Sequence, residues 1–162
     1  MDKDLNKSVY EQLIYTLIMQ VHKKKEKSFE DKQKKMEEIG QRFGKCALYS
    51  LSVNMPYNSY NSLKRLLNFI CHEFWMYLFD NPTSDITSPN PQSISFKDNN
   101  FILLKRLDAS RKQQEKKTEY IELLKTFVAG SIKGVLVHFD NDAEIKLIFQ
   151  NDSLFVNINC YD

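Results

Sequence analysis

Two stretches decide the fold of this chain: Met36–Leu51, MEEIGQRFGKCALYSL, and Leu124–Phe139, LKTFVAGSIKGVLVHF. Each has the apolar spacing of an amphipathic helix and carries two glycines four residues apart. Together they hold all four glycines of the chain, Gly40, Gly44, Gly130 and Gly134. A glycine inside a helix costs about 1 kcal/mol relative to alanine, so close helix packing must offset that cost. We expect this packing within the fold, with packing between molecules as the alternative. The placement also leaves no glycine for a phosphate-binding loop.

Composition indicates one folded domain over residues 1–162, because 42% of the residues are hydrophobic. The 23 basic and 21 acidic residues nearly cancel, to a net charge of +2, so overall charge gives no reason to expect a nucleic acid partner. Three cysteines without a C-x-x-C pair favour reduced thiols over a disulfide framework. The amino-terminal residues have neither a secretory nor a membrane-spanning pattern, and we expect a cytoplasmic protein.

The 3.6-residue periodicity predicts four helices. The third is apolar nearly all round, which places it in the middle of the core. The second is closed by Pro56. The predicted spans are Ser8–His22, a segment from near Phe29 to Leu51, Ser62–Phe79 and Glu119–His138.

Two connections differ in composition. The segment 23–35 is rich in lysine and predicts a solvated tether, with attraction to an anionic membrane surface as the alternative. The segment 81–92 contains three prolines and predicts a loop. Strands are predicted at Ser93–Lys97 and Asn100–Lys105 around a turn, and in a terminal hairpin of Ala143–Gln150 and Ser153–Cys160. This order predicts an α+β domain with helices stacked on an antiparallel sheet.

Candidate catalytic and metal-binding residues are sparse. His22, His72 and His138 lie on separate predicted helices without a second ligand at metal spacing. Cys71 precedes His72, but helical neighbours point about 100° apart, which favours a buried structural thiol over a nucleophile pair. We therefore predict no catalytic residue, no metal site and no cofactor.

The first two predicted helices offer more apolar surface than one small sheet needs to cover. Some of that surface is expected to meet another protein.

Four segments, in order, resemble the small subunits of the transport protein particle, TRAPP, and within them the sixth-subunit branch. They are MEEIGQRFGKCALYSL (Met36–Leu51), LKRLLNFICHEFWMYLF (Leu63–Phe79), SISFKDNNFILL (Ser93–Leu104) and LKTFVAGSIKGVLVHF (Leu124–Phe139). The resemblance spans about residues 36–160, and the terminal hairpin suits it in pattern.

This resemblance implies an α/β-plait, with helices packed on one side of a twisted four-stranded antiparallel sheet. Family members pair through their first two helices, here with a related small subunit that carries a buried lipid. The assembled complex tethers vesicles and acts as an exchange factor for Rab-type GTPases at endoplasmic reticulum and Golgi membranes. The role implied for this chain is structural. The dimer surface implied is Leu13, Leu17, Val21, Met36, Phe43, Ala47 and Leu51.

One departure concerns the lipid. Counting back from Phe74, the position of the acylated cysteine of the core subunit falls near Ser59, where this chain has no thiol. Lipidation is therefore not carried over, and Cys71 is not an equivalent position. The alternative function is a module that binds a lipid or an acyl chain at a membrane surface.

Overall fold

The computed structural model describes residues 3–24, 27–53, 60, 62–101, 103–104 and 114–161, without the side chains of 3–10 and 114–116. The helices are α1 (Lys3–His22), α2 (Phe29–Ser52), α3 (Leu63–Phe69), α4 (Trp75–Phe79) and α5 (Gln114–His138). A π-helical segment, Ile70–Phe74, joins α3 to α4 into one helical run. The strands are β1 (Ser84–Asn90), β2 (Ser93–Asp98), β3 (Ala143–Gln150) and β4 (Ser153–Cys160).

The strands form one antiparallel sheet in the order β1-β2-β4-β3. Alternate residues of β4, including Leu154, Val156 and Ile158, are fully buried, while their neighbours are more accessible. Such alternation is typical of a sheet with one face on the core. The predicted α+β fold with a four-stranded antiparallel sheet is confirmed, and the terminal hairpin has the predicted bounds.

Helices begin earlier than the apolar pattern predicted. Helix α1 begins at Lys3 instead of Ser8, and α5 begins at Gln114 instead of Glu119. Lysine, glutamate and glutamine are good helix formers, so a helix can continue beyond its apolar stripe. The predicted stop at Pro56 lies outside the described residues.

Helix α2 begins at Phe29, as predicted, so the lysine-rich connection ends there and does not extend to residue 35. The hydroxyl of Ser28 accepts a hydrogen bond from the backbone N–H of Asp31 at 3.1 Å and so caps the helix. From the first turns of α2, the Lys32 ammonium donates to the carbonyl of His22 at 3.0 Å. This bond satisfies a carbonyl at the end of α1 and places a positive charge at its carboxyl end.

The proline-rich segment was predicted wrongly as a loop, since most of it forms strand β1. Pro89 is tolerated there because β1 lies at the edge of the sheet, where a missing N–H need not break the ladder. The strand is irregular, with two register shifts against β2 and a φ of 51° at Asp85.

The predicted strand Asn100–Lys105 is also wrong. The chain turns at residues 99–100 and leaves the sheet, and Phe101 is fully buried in the core. The N–H of Phe101 bonds instead to the carbonyl of Asp152, at 3.0 Å. Burying this aromatic ring outweighs further strand pairing. Ile102 and Lys105 lie outside the described residues.

The run from α3 to α4 was predicted as one helix in the middle of the core, but only one of its sides is buried: Met76 is 42% exposed and Tyr77 is 47% exposed. On the buried side, Trp75 anchors the run to the sheet. The ring of Trp75 packs 4.4 Å from that of Phe79 and 4.9 Å from that of Phe96. Its indole N–H donates to Asp98 Oδ2 at 2.9 Å. Asp98 is fully buried and also accepts from the side chain of Asn81 and from the backbone N–H of Asn100. These donors replace the water that the carboxylate loses on burial.

Candidate functional site

Helices α2 and α5 meet backbone to backbone at the four glycines. A β-carbon added at any of them would lie less than 3.0 Å from a carbonyl oxygen of the facing helix. The carbonyls concerned are those of Phe127 for Gly40, Ser131 for Gly44, Glu37 for Gly130 and Gln41 for Gly134. Residue numbers on α2 increase together with those of the facing residues on α5, so the two helices run parallel. Any larger residue would push the helices apart.

Side chains on both flanks close this helix crossing. The Lys133 ammonium on α5 lies 2.8 Å from Glu37 Oε1 on α2, with both side chains about one third exposed. On the other flank the rings of Phe43 and Phe127 meet edge to face at 5.5 Å. The contacts between α2 and α5 therefore lie within one chain.

Helix α1 covers the amino-terminal part of α5. Ile14 and Ile18 are buried, and the ring of Tyr15 lies 5.7 Å from that of Tyr120. The Nε2 atom of His22 lies 2.9 Å from Glu119 Oε2, an ion-pair distance for a protonated imidazole. One side of α1 therefore packs against the rest of the same chain.

The structure separates the predicted dimer residues into two groups. Val21, Met36 and Ala47 are at most 7% exposed and belong to the core, because their stripes face the body of the chain. They are corrected to core positions. The remaining predicted residues keep accessible area: Leu13 is 46% exposed, and Leu17, Phe43 and Leu51 are half-buried.

Two apolar ridges therefore remain on the first two helices. Leu13 and Leu17 are four residues apart on α1, and they lie outside the buried core cluster and the side chains packed against it. Ile39 and Phe43 have the same spacing on α2 and are half-buried. We call these four residues the helical surface. Leu13, Leu17 and Phe43 were predicted as interface residues, and the structure adds Ile39 as their neighbour on α2.

Sequence reasoning missed apolar residues at the end of α2. Tyr49 is 54% exposed and Val53 is 82% exposed. The ring of Tyr49 meets the imidazole of His138 on α5 edge to face at 5.4 Å. Both residues lie on the polar side of the α2 pattern, where isolated apolar residues are common, so the periodicity gave no signal for them.

The three cysteines occupy different environments. Cys46 is exposed on α2, whereas Cys71 and Cys160 are buried. Burial, with a smaller effect of the Glu73 charge, raises the pKa of Cys71 to about 12. Burial and then Asp142 raise the pKa of Cys160. The Cys71 thiol donates to the carbonyl of Asn68 at 3.3 Å, so it is held as a neutral structural group.

We expect iodoacetamide to modify Cys46 in the native protein at pH 8, and to modify Cys71 about 1,000-fold more slowly. Because the folded pKa of Cys71 is raised, its stabilising effect is complete below the ordinary thiol pKa. That effect is lost as the pH rises from there toward about 12. Mass spectrometry of peptides after timed labelling measures the rates, with urea-unfolded protein as the control. Equal rates at the two thiols in folded protein would contradict this burial.

A metal cluster and a membrane-spanning helix are both absent from the described residues. They contain no group of three or more His, Cys, Asp or Glu side chains placed to hold a metal ion. Across the same part of the chain, no helix has the length and apolar character needed to cross a membrane.

A search of curated proteins finds no match. Among solved structures, the chain is similar to a trafficking protein particle complex subunit 3 from Naegleria fowleri, described as covalently bound to palmitic acid. The TM-score is 0.72 and the sequence identity is 12%, with 99% of this chain and 98% of that chain covered. At this identity the similarity is one of fold.

The family comparison covers more of the chain than the resemblance noted in its sequence. The model of the transport protein particle (TRAPP) component family matches residues 10–156. Both the helical surface and the glycine crossing fall inside this span. With the match extending over nearly the whole sequence, the chain belongs to the TRAPP component family.

Proposed function

We propose that this chain is a structural subunit of a TRAPP-type complex and heterodimerises with a related small subunit through the helical surface. The observation that carries the proposal is the pair of apolar ridges on α1 and α2 that the fold leaves accessible. Leu13, at 46% exposed, is the clearest case. Burying such side chains against a partner would recover hydrophobic free energy that the isolated chain does not gain.

The wider role follows from the family. The complex would tether vesicles and promote nucleotide exchange on a Rab-type GTPase in endoplasmic reticulum to Golgi and Golgi traffic. This chain would act in the cytoplasm, at the periphery of those membranes, and would reach the GTPase through the assembled complex. Its contribution would be assembly, with no reaction of its own. The assignment to the sixth-subunit branch stays a prediction.

The alternative, an acyl-chain module, has weaker support. The similar subunit 3 structure is described as bound to palmitic acid, but Cys71 of this chain is buried with a raised pKa. A neutral, buried thiol is a poor acceptor for an acyl group. The position expected for an acylated cysteine, Ser59, lies outside the described residues.

Affinity purification of the tagged chain from its native cells tests the proposal. We expect other TRAPP subunits to co-purify, including one related small subunit in equal amount. A parallel purification of the Leu13→Asp/Leu17→Asp variant should lose that small subunit, because each aspartate would place a charge in the buried contact. Recovery of the chain without any TRAPP subunit would overturn the proposed function.

A further inference from the structure

The two edges of the sheet are built differently. Edge strand β1 contains Pro89, two register shifts and a positive φ at Asp85, all features that discourage further strand pairing. Strand β3, at the other edge, has neither proline nor glycine and pairs with β4 in unbroken register over all eight of its residues. The β1 edge is therefore irregular and unsuited to further strand pairing, whereas the β3 edge keeps regular strand geometry.

The open edge of β3 presents backbone groups from alternate residues. The N–H of Tyr161 donates to the carbonyl of Asp142 at 3.0 Å, and bonded pairs alternate along an antiparallel ladder. Even-numbered residues of β3 thus bond to β4, and odd-numbered ones point their N–H and C=O groups to the edge. The Ala143 N–H is occupied by the Asp142 carboxylate, at 2.8 Å. Within the described part of the chain, the edge residues of β3 that have both backbone groups available are Ile145, Leu147 and Phe149.

Space for another strand exists beside this edge. An open groove of about 420 Å³ lies between α5 and β3, and its β3 wall includes the half-buried Ile145 and Leu147. Two lysines of α5 line it, and each already has an acidic partner: Lys125 pairs with Glu122 at 2.7 Å, and Lys133 pairs with Glu37 at 2.8 Å. The groove can therefore accept apolar side chains without leaving a lysine unpaired.

We propose that the β3 edge binds the β3 edge of a second copy of this chain, antiparallel, about a two-fold axis at Leu147. In this register Leu147 faces its symmetry mate and Ile145 faces Phe149, so all six free backbone groups pair. Leu147 and Phe149 of the second copy then lie beside the groove wall formed by Ile145 and Leu147. The result is one continuous eight-stranded sheet. The β3 edge used here is distinct from the helical surface that the proposed heterodimer uses.

Charge on the outer face of β3 disfavours the adjacent register. Sliding the strands by one step toward the amino end would place Lys146 directly opposite Lys146 of the second copy, a destabilising pair of like charges. With the axis at Leu147, Lys146 faces Ile148, and Glu144 faces Gln150. No like charges then meet, which is the complementarity expected of a strand that pairs with itself.

Disulfide trapping tests the register. Lys146 and Ile148 form a non-hydrogen-bonded pair across the proposed interface, where Cα atoms lie about 4.5 Å apart and a disulfide fits. In a Cys46→Ser background, the Lys146→Cys/Ile148→Cys variant should form a covalent dimer under mild oxidation. The matched control is Ser95→Cys/Lys97→Cys, with the same spacing on β2, an interior strand that cannot pair with a second copy. It should form no covalent dimer, and neither should Lys146→Cys alone, although both keep the β3 edge and its non-covalent association.

Light scattering gives a second measurement that needs no oxidation. Ile148→Lys, at a position 55% exposed, would set lysine against Lys146 twice per dimer and weaken association about tenfold. Adding Lys146→Glu should restore association, because each lysine at 148 then meets a glutamate. Absence of both trapping and rescue would overturn the proposal. Equal trapping by Lys146→Cys alone, or an unchanged dimer in Ile148→Lys, would do so as well.

Discussion

The double variant Gly44→Ala/Gly134→Ala is expected to lose about 4 kcal/mol of the free energy of unfolding. At both positions an added methyl group would lie under 3.0 Å from a backbone carbonyl oxygen of the facing helix. Overpacking of this kind costs about 3 kcal/mol per site at the upper end of its usual range. Replacing glycine in a helix returns about 1 kcal/mol per site, which leaves a net loss of about 2 kcal/mol at each.

Urea denaturation followed by circular dichroism measures this loss. The matched control is Lys45→Ala, which introduces the same side chain next to Gly44 on the exposed side of α2. We expect its effect to stay within about 0.5 kcal/mol, as for most surface substitutions. If the double alanine variant were instead as stable as the control, the close approach of α2 and α5 would be refuted.

The glycine spacing was the sequence feature that predicted most about tertiary packing. Amphipathic periodicity predicted the helices, and two i, i+4 glycine pairs indicated where helices could touch. The spacing could not reveal that both pairs belong to one crossing, because that depends on which helices become neighbours. The structure brings Gly40 and Gly44 against the helix that carries the other pair.

The first hairpin could not be predicted because its signals conflict. Asp98-Asn99 has the composition of a tight turn, and the prolines before it have the composition of a loop. Tertiary burial decided otherwise: Phe101 leaves the sheet for the core, and the strand containing Pro89 takes the edge position. Neither outcome can be read from a window of neighbouring residues.

The candidate interface was predictable only as a helical stripe. The sequence marks Leu13, Leu17, Met36 and Phe43 as apolar, but it cannot divide them between core and surface. The division follows from how α1 and α2 pack, which buries Met36 completely and leaves Leu13 nearly half exposed. Apolar side chains that contact a partner protein are of the same residue types as those that pack in the core, so sequence alone does not separate them.

The largest expected effect on binding is that of Leu13→Asp/Leu17→Asp on affinity for a related TRAPP small subunit. Burying the accessible part of each leucine contributes about 1 kcal/mol, and desolvating each introduced aspartate costs about 1 kcal/mol or more. Together these changes weaken binding at least about 100-fold. Neither leucine belongs to the buried core cluster, so the variant should keep its fold. Phe43 is unsuitable for this purpose, because its ring packs on Phe127.

Isothermal titration of the purified chain with that small subunit is the most direct measurement of the central claim. Asn68→Asp serves as the control, since it introduces an aspartate at an exposed position of α3, away from the helical surface. The account predicts a 1:1 complex for the original chain and the control, and affinity reduced at least about 100-fold for the double variant. Equal affinities for all three proteins, or no complex with the original chain, would contradict it.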